Sequence, residues 1–208
     1  MKLDITQKDI NFAYNKLLDK SRLDFGFVML AVISLTICIL GFIINSASVI
    51  IGSMLVSPLL YPLLSIPATL FRNDYKFFIR KSVWIVVSII ILVLYALVLF
   101  SLNEILYINN IGSEITERVT AHIFIYLLIA LASGAGGAVS LFWPHVAEAV
   151  AGVAISVALL PPIAIVGFSI TVNDFNMFKT ASLILLINFI GILIGSSLII
   201  FILKKFKK

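Results

Sequence analysis

Long apolar segments separated by short polar stretches constrain the fold of this 208-residue chain more than any other feature. An α-helix needs about 20 apolar residues to cross the hydrocarbon core of a bilayer. The chain is 62% hydrophobic, and a soluble domain of this size has too little interior to bury so much apolar surface. We therefore predict an all-α polytopic membrane protein with six transmembrane helices, at roughly 25–44, 46–71, 83–103, 121–143, 146–171 and 180–203.

Basic residues are distributed very unevenly between the loops that this assignment leaves. The first 24 residues hold five Lys or Arg, and the loop 72–82 and the tail 204–208 hold four each, whereas the opposite side holds Arg118 and Lys179. Positive charge accumulates in cytoplasmic loops. The net charge of +5 thus indicates topology rather than binding to nucleic acid, and we expect the cell (inner) membrane, with both termini cytoplasmic. Because the first 24 residues are polar, we expect no signal peptide.

The chain nearly repeats itself at a spacing of 100 residues, since 47–82 aligns with 147–182 without a gap. The matches include residues that constrain the backbone, at Gly52 and Gly152, Pro62 and Pro162, and the Asn-Asp pairs 73–74 and 173–174. Three crossings per half give the halves opposite orientations, so we predict two inverted three-helix repeats, as in many transporters. A duplication kept for packing alone is the alternative. The predicted parts are a cytoplasmic amphipathic helix (1–24), a first repeat (25–103), an external loop (104–120), a second repeat (121–203) and a basic cytoplasmic tail (204–208).

All six prolines lie in or beside the second and fifth segments, including Pro58, Pro62, Pro161 and Pro162. Proline removes a backbone donor and clashes with the preceding turn, so we predict that both helices are broken near the middle. Unwound backbone at this depth is tolerated inside protein or beside a water-filled cavity, and paired broken helices mark the binding sites of transporters. The alternative is a pair of kinks whose freed carbonyl groups are satisfied by neighbouring helices.

Two ordered motifs resemble those of a known family. The first lies in 41–62 and includes Val49-Ile-Ile-Gly-Ser-Met-Leu-Val-Ser57-Pro58-Leu-Leu-Tyr-Pro62. The second combines Ser133-Gly134-Ala135-Gly136-Gly137-Ala138, Ala158-Leu159-Leu160-Pro161-Pro162 and Asn188-Phe189-Ile190-Gly191. Both are similar to signatures of the "uncharacterised hydrophobic domain" family, domain of unknown function 389, over about residues 25–203. The resemblance implies a membrane portion without a secure function, and many relatives carry a larger soluble domain in addition.

Polar, small and proline residues inside the apolar segments are the candidates for a substrate or ion pathway. Amides and hydroxyls can coordinate a cation or bind a solute, although they more often join two helices. The candidate pathway residues are Asn45, Ser53, Ser57, Pro58, Pro62, Ser133, Gly134, Leu160, Pro161, Pro162 and Asn188. His145 and Glu148, at helical i,i+3 spacing, form either a proton site or an interfacial pair wetted by headgroups. Gly191 and Gly195 form a small-residue pair that suits a subunit interface.

No enzyme signature is present, because the sequence has no Gly-rich phosphate loop, no Cys or His metal spacing and no Gly-x-Ser-x-Gly run. We therefore expect no enzymatic activity, no cofactor and no metal site. The sequence favours a transporter or channel that passes a small solute or ion between the two broken helices. The alternative is a non-transporting membrane scaffold or oligomerisation module. The expected partners are the lipid bilayer, a small solute or ion and, because the chain is small for a transporter, further copies in a homo-oligomer, with no nucleic acid.

Overall fold

The structure, a computed structural model, describes residues 14–15, 17–105, 113–120, 122–142 and 148–205. The described residues up to 24, here called the N-terminal segment, are helical at 14–15 and 17–20. The part of the chain that follows forms eight described α-helices. They are α1 (Phe25–Ile43), α2 (Ala47–Val56), α3 (Leu60–Phe71), α4 (Tyr75–Ile105), α5 (Ser113–Thr120), α6 (Ile123–Phe142), α7 (Glu148–Thr171) and α8 (Phe175–Lys205).

Four helices of the described chain, α1, α4, α6 and α8, are each long and apolar enough to cross a membrane. The pair α2 and α3 passes the same test as one span with a bend of 53°. The described part of α7 includes a further apolar helical stretch, Ala158–Thr171. The chain is therefore an integral membrane protein with four or five candidate spans in its described residues. The six crossings that the sequence predicts therefore stay a prediction.

The predicted break in the second segment is present. The backbone leaves the helix at residues 57–59, between α2 and α3, and Ser57 is extended with φ −67° and ψ 129°. A residue before proline is pushed towards extended conformations, because its backbone clashes with the proline ring. Pro58 therefore ends α2, and the Ser57 N–H reaches only the Met54 carbonyl, at 3.4 Å.

The predicted break in the fifth segment is wrong. Helix α7 runs without interruption, with Pro161 and Pro162 inside it. Pro162 has no N–H to donate to the carbonyl of Ala158, four residues earlier. Nδ2 of Asn188, on α8, donates to that carbonyl instead, at 2.6 Å. A neighbouring helix thus supplies a missing hydrogen bond, which is one way in which proline is tolerated inside membrane helices.

Three helices end in the same kind of turn, built on an asparagine with a left-handed backbone. Asn45, Asn73 and Asn173 have φ values of 53°, 58° and 55°. In each turn the next residue donates its N–H to a carbonyl five residues earlier, at 2.9, 3.1 and 3.0 Å, which is the Schellman pattern. Asp74 and Asp174 then accept hydrogen bonds from the backbone three residues later, at 3.3 and 2.9 Å. The repeated Asn-Asp pairs therefore end one helix and begin the next in both halves.

Glycines bring α6 and α8 into backbone contact. A Cβ atom on Gly134 would overlap the backbone oxygen of Ile192, and one on Gly195 would overlap that of Leu131. Small residues allow membrane helices to approach this closely. The predicted use of Gly191 and Gly195 at a subunit interface is therefore wrong, because both face α6 of the same chain.

The N-terminal segment packs against the membrane helices of its own chain. Leu17 is fully buried. Lys20 donates from Nζ to the hydroxyl of Tyr61, on α3, at 3.1 Å. Lys81, on α4, donates to the backbone oxygen and to Oγ of Ser21, at 2.7 and 2.8 Å. The apolar side of the segment thus faces the protein, and its polar contacts hold it to α3 and α4.

Candidate functional site around Arg118

Helix α5 lies within the stretch 104–120, which the sequence assigns to an external loop. Glu114 and Arg118 are four residues apart, and so are Ile115 and Val119, which gives the helix a charged and an apolar side. Ile115 is buried in the protein core. The backbone N–H of Glu114 donates to Oδ1 of Asn45, at 3.1 Å, so α5 is joined to the turn between α1 and α2.

Arg118 extends from α5 among the apolar helices, and its side chain is 26% exposed. Nη2 donates to Oε2 of Glu114 at 3.3 Å, and the guanidinium carbon lies 5.9 Å from the centroid of the Phe42 ring. The backbone carbonyl of Arg118 accepts a hydrogen bond from the hydroxyl of Tyr126, on α6, at 2.6 Å. Nε of Arg118 is buried, and none of the described residues accepts its hydrogen. The guanidinium therefore keeps a donor with which it can bind a further group.

A small cavity separates Arg118 from the proline pair of α7. Its volume is about 20 Å³, which is enough for one water molecule. Val119 and Tyr126 complete its wall together with residues of α8. Because Pro161 and Pro162 carry no N–H, the polar groups at this cavity come mainly from α5 and α6.

Asn188 provides a second polar position deeper in the protein. It lies one helical turn beyond Ile184, which lines the cavity, and about 20 Å along α8 from Phe175 at roughly 1.5 Å per residue. The side chain is fully buried. Nδ2 is bound to Ala158, whereas Oδ1 has no hydrogen-bond partner within the described part of the chain. Arg118 and Asn188 thus each have one buried polar atom, Nε and Oδ1, that can form a hydrogen bond with a further group.

The structure brings together only some of the predicted pathway residues. Pro161 and Pro162 face the cavity beside Arg118, and Asn188 contacts α7 one turn further on. Ser57 and Pro58 form the break between α2 and α3, where Oγ of Ser57 is buried and finds no partner among the residues described.

The remaining pathway candidates have structural roles in turns, in helices and in contacts between helices. Asn45 forms the left-handed turn after α1. Ser53 and Ser133 donate to carbonyl groups of their own helices, at 2.6 and 2.7 Å. Gly134 lies in the contact with α8. Two further candidates are buried within helices, Pro62 in α3 and Leu160 in α7.

The candidate proton site lies outside the described residues, apart from the backbone of Glu148 at the start of α7. The proton site at His145 and Glu148 stays a prediction. Within the described residues, no group of three or more His, Cys, Asp or Glu side chains could hold a metal ion.

Arg118 was not among the predicted site residues, because its place between two apolar segments indicates a loop. A local signal for α5 exists in the pairs Glu114–Arg118 and Ile115–Val119, which are typical of a short amphipathic helix. That signal does not reveal where the helix packs. The position of α5 against Asn45, Tyr126 and the prolines of α7 depends on contacts that are distant in sequence.

A family model described as "Domain of unknown function (DUF389)" matches residues 54–194. The "Uncharacterized protein MJ0678" of Methanocaldococcus jannaschii is 27% identical over 188 residues, which are 90% of this chain and 57% of that protein. The chain thus spans little more than half the length of this relative. No solved structure matches the chain significantly.

Proposed function

This chain belongs to the DUF389 family, as its two motifs predict, and we propose that it passes a small solute or ion across the membrane. The observation that carries the proposal is the position of Arg118 among apolar helices, beside Pro161 and Pro162. Ionisable groups among membrane helices are costly, and they often mark ion or substrate pathways. Nε of Arg118 would donate a hydrogen bond to the solute, and Oδ1 of Asn188 would accept one from a water molecule that accompanies it.

Helices α2 and α7 pack against each other, and we place the proposed path along this contact, from the break that follows α2 to the cavity beside Arg118. Ser57 lines the path at the break, and Pro161 and Pro162 line it on α7. The cavity of about 20 Å³ holds no solute much larger than water. Passage therefore requires movement. We assign it to α5, an eight-residue helix that is held by one hydrogen bond to Asn45, one from Tyr126 and the buried side chain of Ile115.

We also propose that the halves form inverted repeats, with six crossings and both termini cytoplasmic. Equivalent positions in the two halves lie close together, which supports this. Gly167 of α7 lies against the backbone of Leu97 on α4. The positions 100 residues away are Pro67 of α3 and Ser197 of α8, which line one groove together. A pseudo-twofold axis would exchange these two pairs of positions.

Arg118 favours an anion as the solute, because a positive side chain in a narrow path attracts anions and excludes cations. The pairing with Glu114 lowers this preference by compensating part of the charge. Chloride, nitrate and acetate are therefore the first solutes to test, followed by sodium, potassium and small neutral molecules.

The test is flux into proteoliposomes made with the purified full chain. We expect flux above that of protein-free liposomes. Replacing Arg118 with Gln should lower the anion flux roughly tenfold, equivalent to about 1.4 kcal/mol, because the positive charge along the path is lost. Lys179→Gln is the matched control, since it removes an exposed cation on the same predicted side and should leave the flux unchanged. Equal effects of the two variants would contradict the role of Arg118.

A non-transporting scaffold that assembles as a homo-oligomer is the second candidate. The hydrogen bond from Asn188 to Ala158 favours it, because a carbonyl satisfied by a neighbouring helix needs no solute. Native mass spectrometry of the detergent-solubilised chain would report its oligomeric state. A stable oligomer that passes none of the solutes in the panel would make the scaffold the better account and would exclude the transport proposal.

A further inference from the structure

An open cleft lies between the N-terminal segment and α4, and it shares no residue with the cavity beside Arg118. Its volume is about 550 Å³. One wall consists of residues between 15 and 23, and the other consists of residues between 77 and 84. The cleft is thus large enough for a polar headgroup.

Three cations and one carboxylate line the cleft, namely Arg22, Arg80, Lys81 and Asp19. Asp19 and Arg22 are 3.4 Å apart, but both side chains are 75% exposed, and such pairs are weak in water. Lys81 directs two N–H groups to Ser21, which joins the two walls and leaves its third N–H available. The net charge of the lining, +2 from three cations and one anion, favours an anionic ligand.

The cleft lies where α4 would enter the membrane. Arg80 is about 8 Å and Trp84 about 14 Å along the helix from Tyr75, at roughly 1.5 Å per residue. Tryptophan is enriched at the boundary between membrane and water, and Trp84 is 53% exposed. Phe77 and Leu18 also line the cleft. The cations near the water match the headgroup of a phospholipid, and the apolar side chains beside them match the beginning of its acyl chains.

A second groove, between α3, α4 and α8, has a similar volume of about 550 Å³ but a different chemistry. Its lining is apolar apart from Ser197. Such a groove can contact acyl chains, but its lining offers no cation to a headgroup. The charged cleft is therefore distinguished by its chemistry and not by its size.

We propose that the charged cleft binds the phosphate-bearing headgroup of an anionic phospholipid from the cytoplasmic leaflet. Arg22 and Arg80 contact the phosphate, because the guanidinium fork matches its oxygens in a bidentate manner. Lys81 keeps the N-terminal segment against α4, and Trp84 lies beside the first part of the acyl chains. Basic residues at this surface attract anionic lipids. This site does not depend on the transport proposal.

The test uses the fluorescence of Trp84 in the full chain carrying Trp143→Phe, which removes the other tryptophan. The protein is reconstituted in phosphatidylcholine, to which brominated phosphatidylglycerol or brominated phosphatidylcholine is added as quencher. We expect brominated phosphatidylglycerol to quench Trp84 at a concentration roughly tenfold lower than brominated phosphatidylcholine does. The double variant Arg22→Gln, Arg80→Gln should remove this preference, whereas Arg22→Lys, Arg80→Lys should retain most of it.

Lys76→Gln is the matched control, because Lys76 is exposed on the same helix and does not line the cleft. It should leave the preference unchanged. Equal quenching by the two lipids, or equal loss in the Lys76 variant and the double Gln variant, would overturn the proposal. Inorganic phosphate at the same concentration as the brominated lipid should not relieve the quenching. Relief would identify free phosphate as the ligand and would overturn the lipid assignment.

Discussion

Replacing Asn188 with Leu should remove the hydrogen bond that stands in for the one that Pro162 cannot make. Nδ2 lies 2.6 Å from the carbonyl oxygen of Ala158, and both residues are buried. An unpaired buried carbonyl costs about 1–3 kcal/mol, and hydrogen bonds between membrane helices contribute about 0.6–2 kcal/mol. The substitution also removes the buried Oδ1, which has no partner among the described residues, and this offsets part of the loss. We expect the free energy of unfolding to fall by about 1 kcal/mol, from these opposing contributions.

A double-mutant cycle separates this hydrogen bond from other effects of the substitution. Pro162→Ala restores an N–H that can reach the carbonyl of Ala158, so Asn188→Leu should cost about 1 kcal/mol less in that background. Ser196→Ala is the control, because Ser196 is equally buried on α8 but donates to Ile192 of its own helix, at 2.7 Å. Its effect should add to that of Pro162→Ala within about 0.5 kcal/mol.

The assay is unfolding by SDS in mixed micelles, followed by the reaction of the Cys38 thiol. Cys38 is the single cysteine of the chain and is fully buried, so its reactivity should rise as the helices separate. Effects of Asn188→Leu and Pro162→Ala that add within about 0.5 kcal/mol would refute the reasoning. In that case the amide would not compensate for the proline.

Two further predictions use the same unfolding assay. Gly134→Ala should lower the free energy of unfolding by about 1–3 kcal/mol, because its Cβ would overlap the Ile192 backbone; Gly136→Ala, which has open space, should raise it by up to about 1 kcal/mol. If Gly134→Ala lowered the free energy of unfolding no more than Gly136→Ala does, the assigned contact between α6 and α8 would be contradicted. Asn73→Ala should cost about 1–2 kcal/mol, because Asn73 has a left-handed backbone with φ 58°, whereas Asn73→Gly should be nearly neutral. Equal losses for Ala and Gly would show that the side chain of Asn73, and not its backbone conformation, stabilises the turn.

Local features of the sequence predicted the helical membrane architecture and the family. The length of each apolar run is a property of consecutive residues, and it is sufficient to indicate helices that can cross a bilayer. The same holds for the Asn-Asp pairs at 73–74 and 173–174, which produce matching turns. The break at Ser57-Pro58 was also predictable, because the clash with the proline ring acts on the residue before it.

The candidate site was only partly predictable. Pro161, Pro162 and Asn188 were identified from their residue types, and the structure places them near one another. The sequence places Arg118 in a loop, because a run of charged residues between apolar segments usually faces water. Its position in the protein depends on how α5 packs against the turn at Asn45 and against α6.

The sequence by itself determined where helices form, where Asn-Asp pairs turn the chain and that the protein lies in a membrane. Only the tertiary structure decided that α7 continues through Pro161 and Pro162. A proline always removes one donor, but whether the helix breaks depends on whether another group reaches the freed carbonyl. Here that group is Asn188, which is 30 residues from Ala158 in sequence and 2.6 Å from its carbonyl oxygen in space.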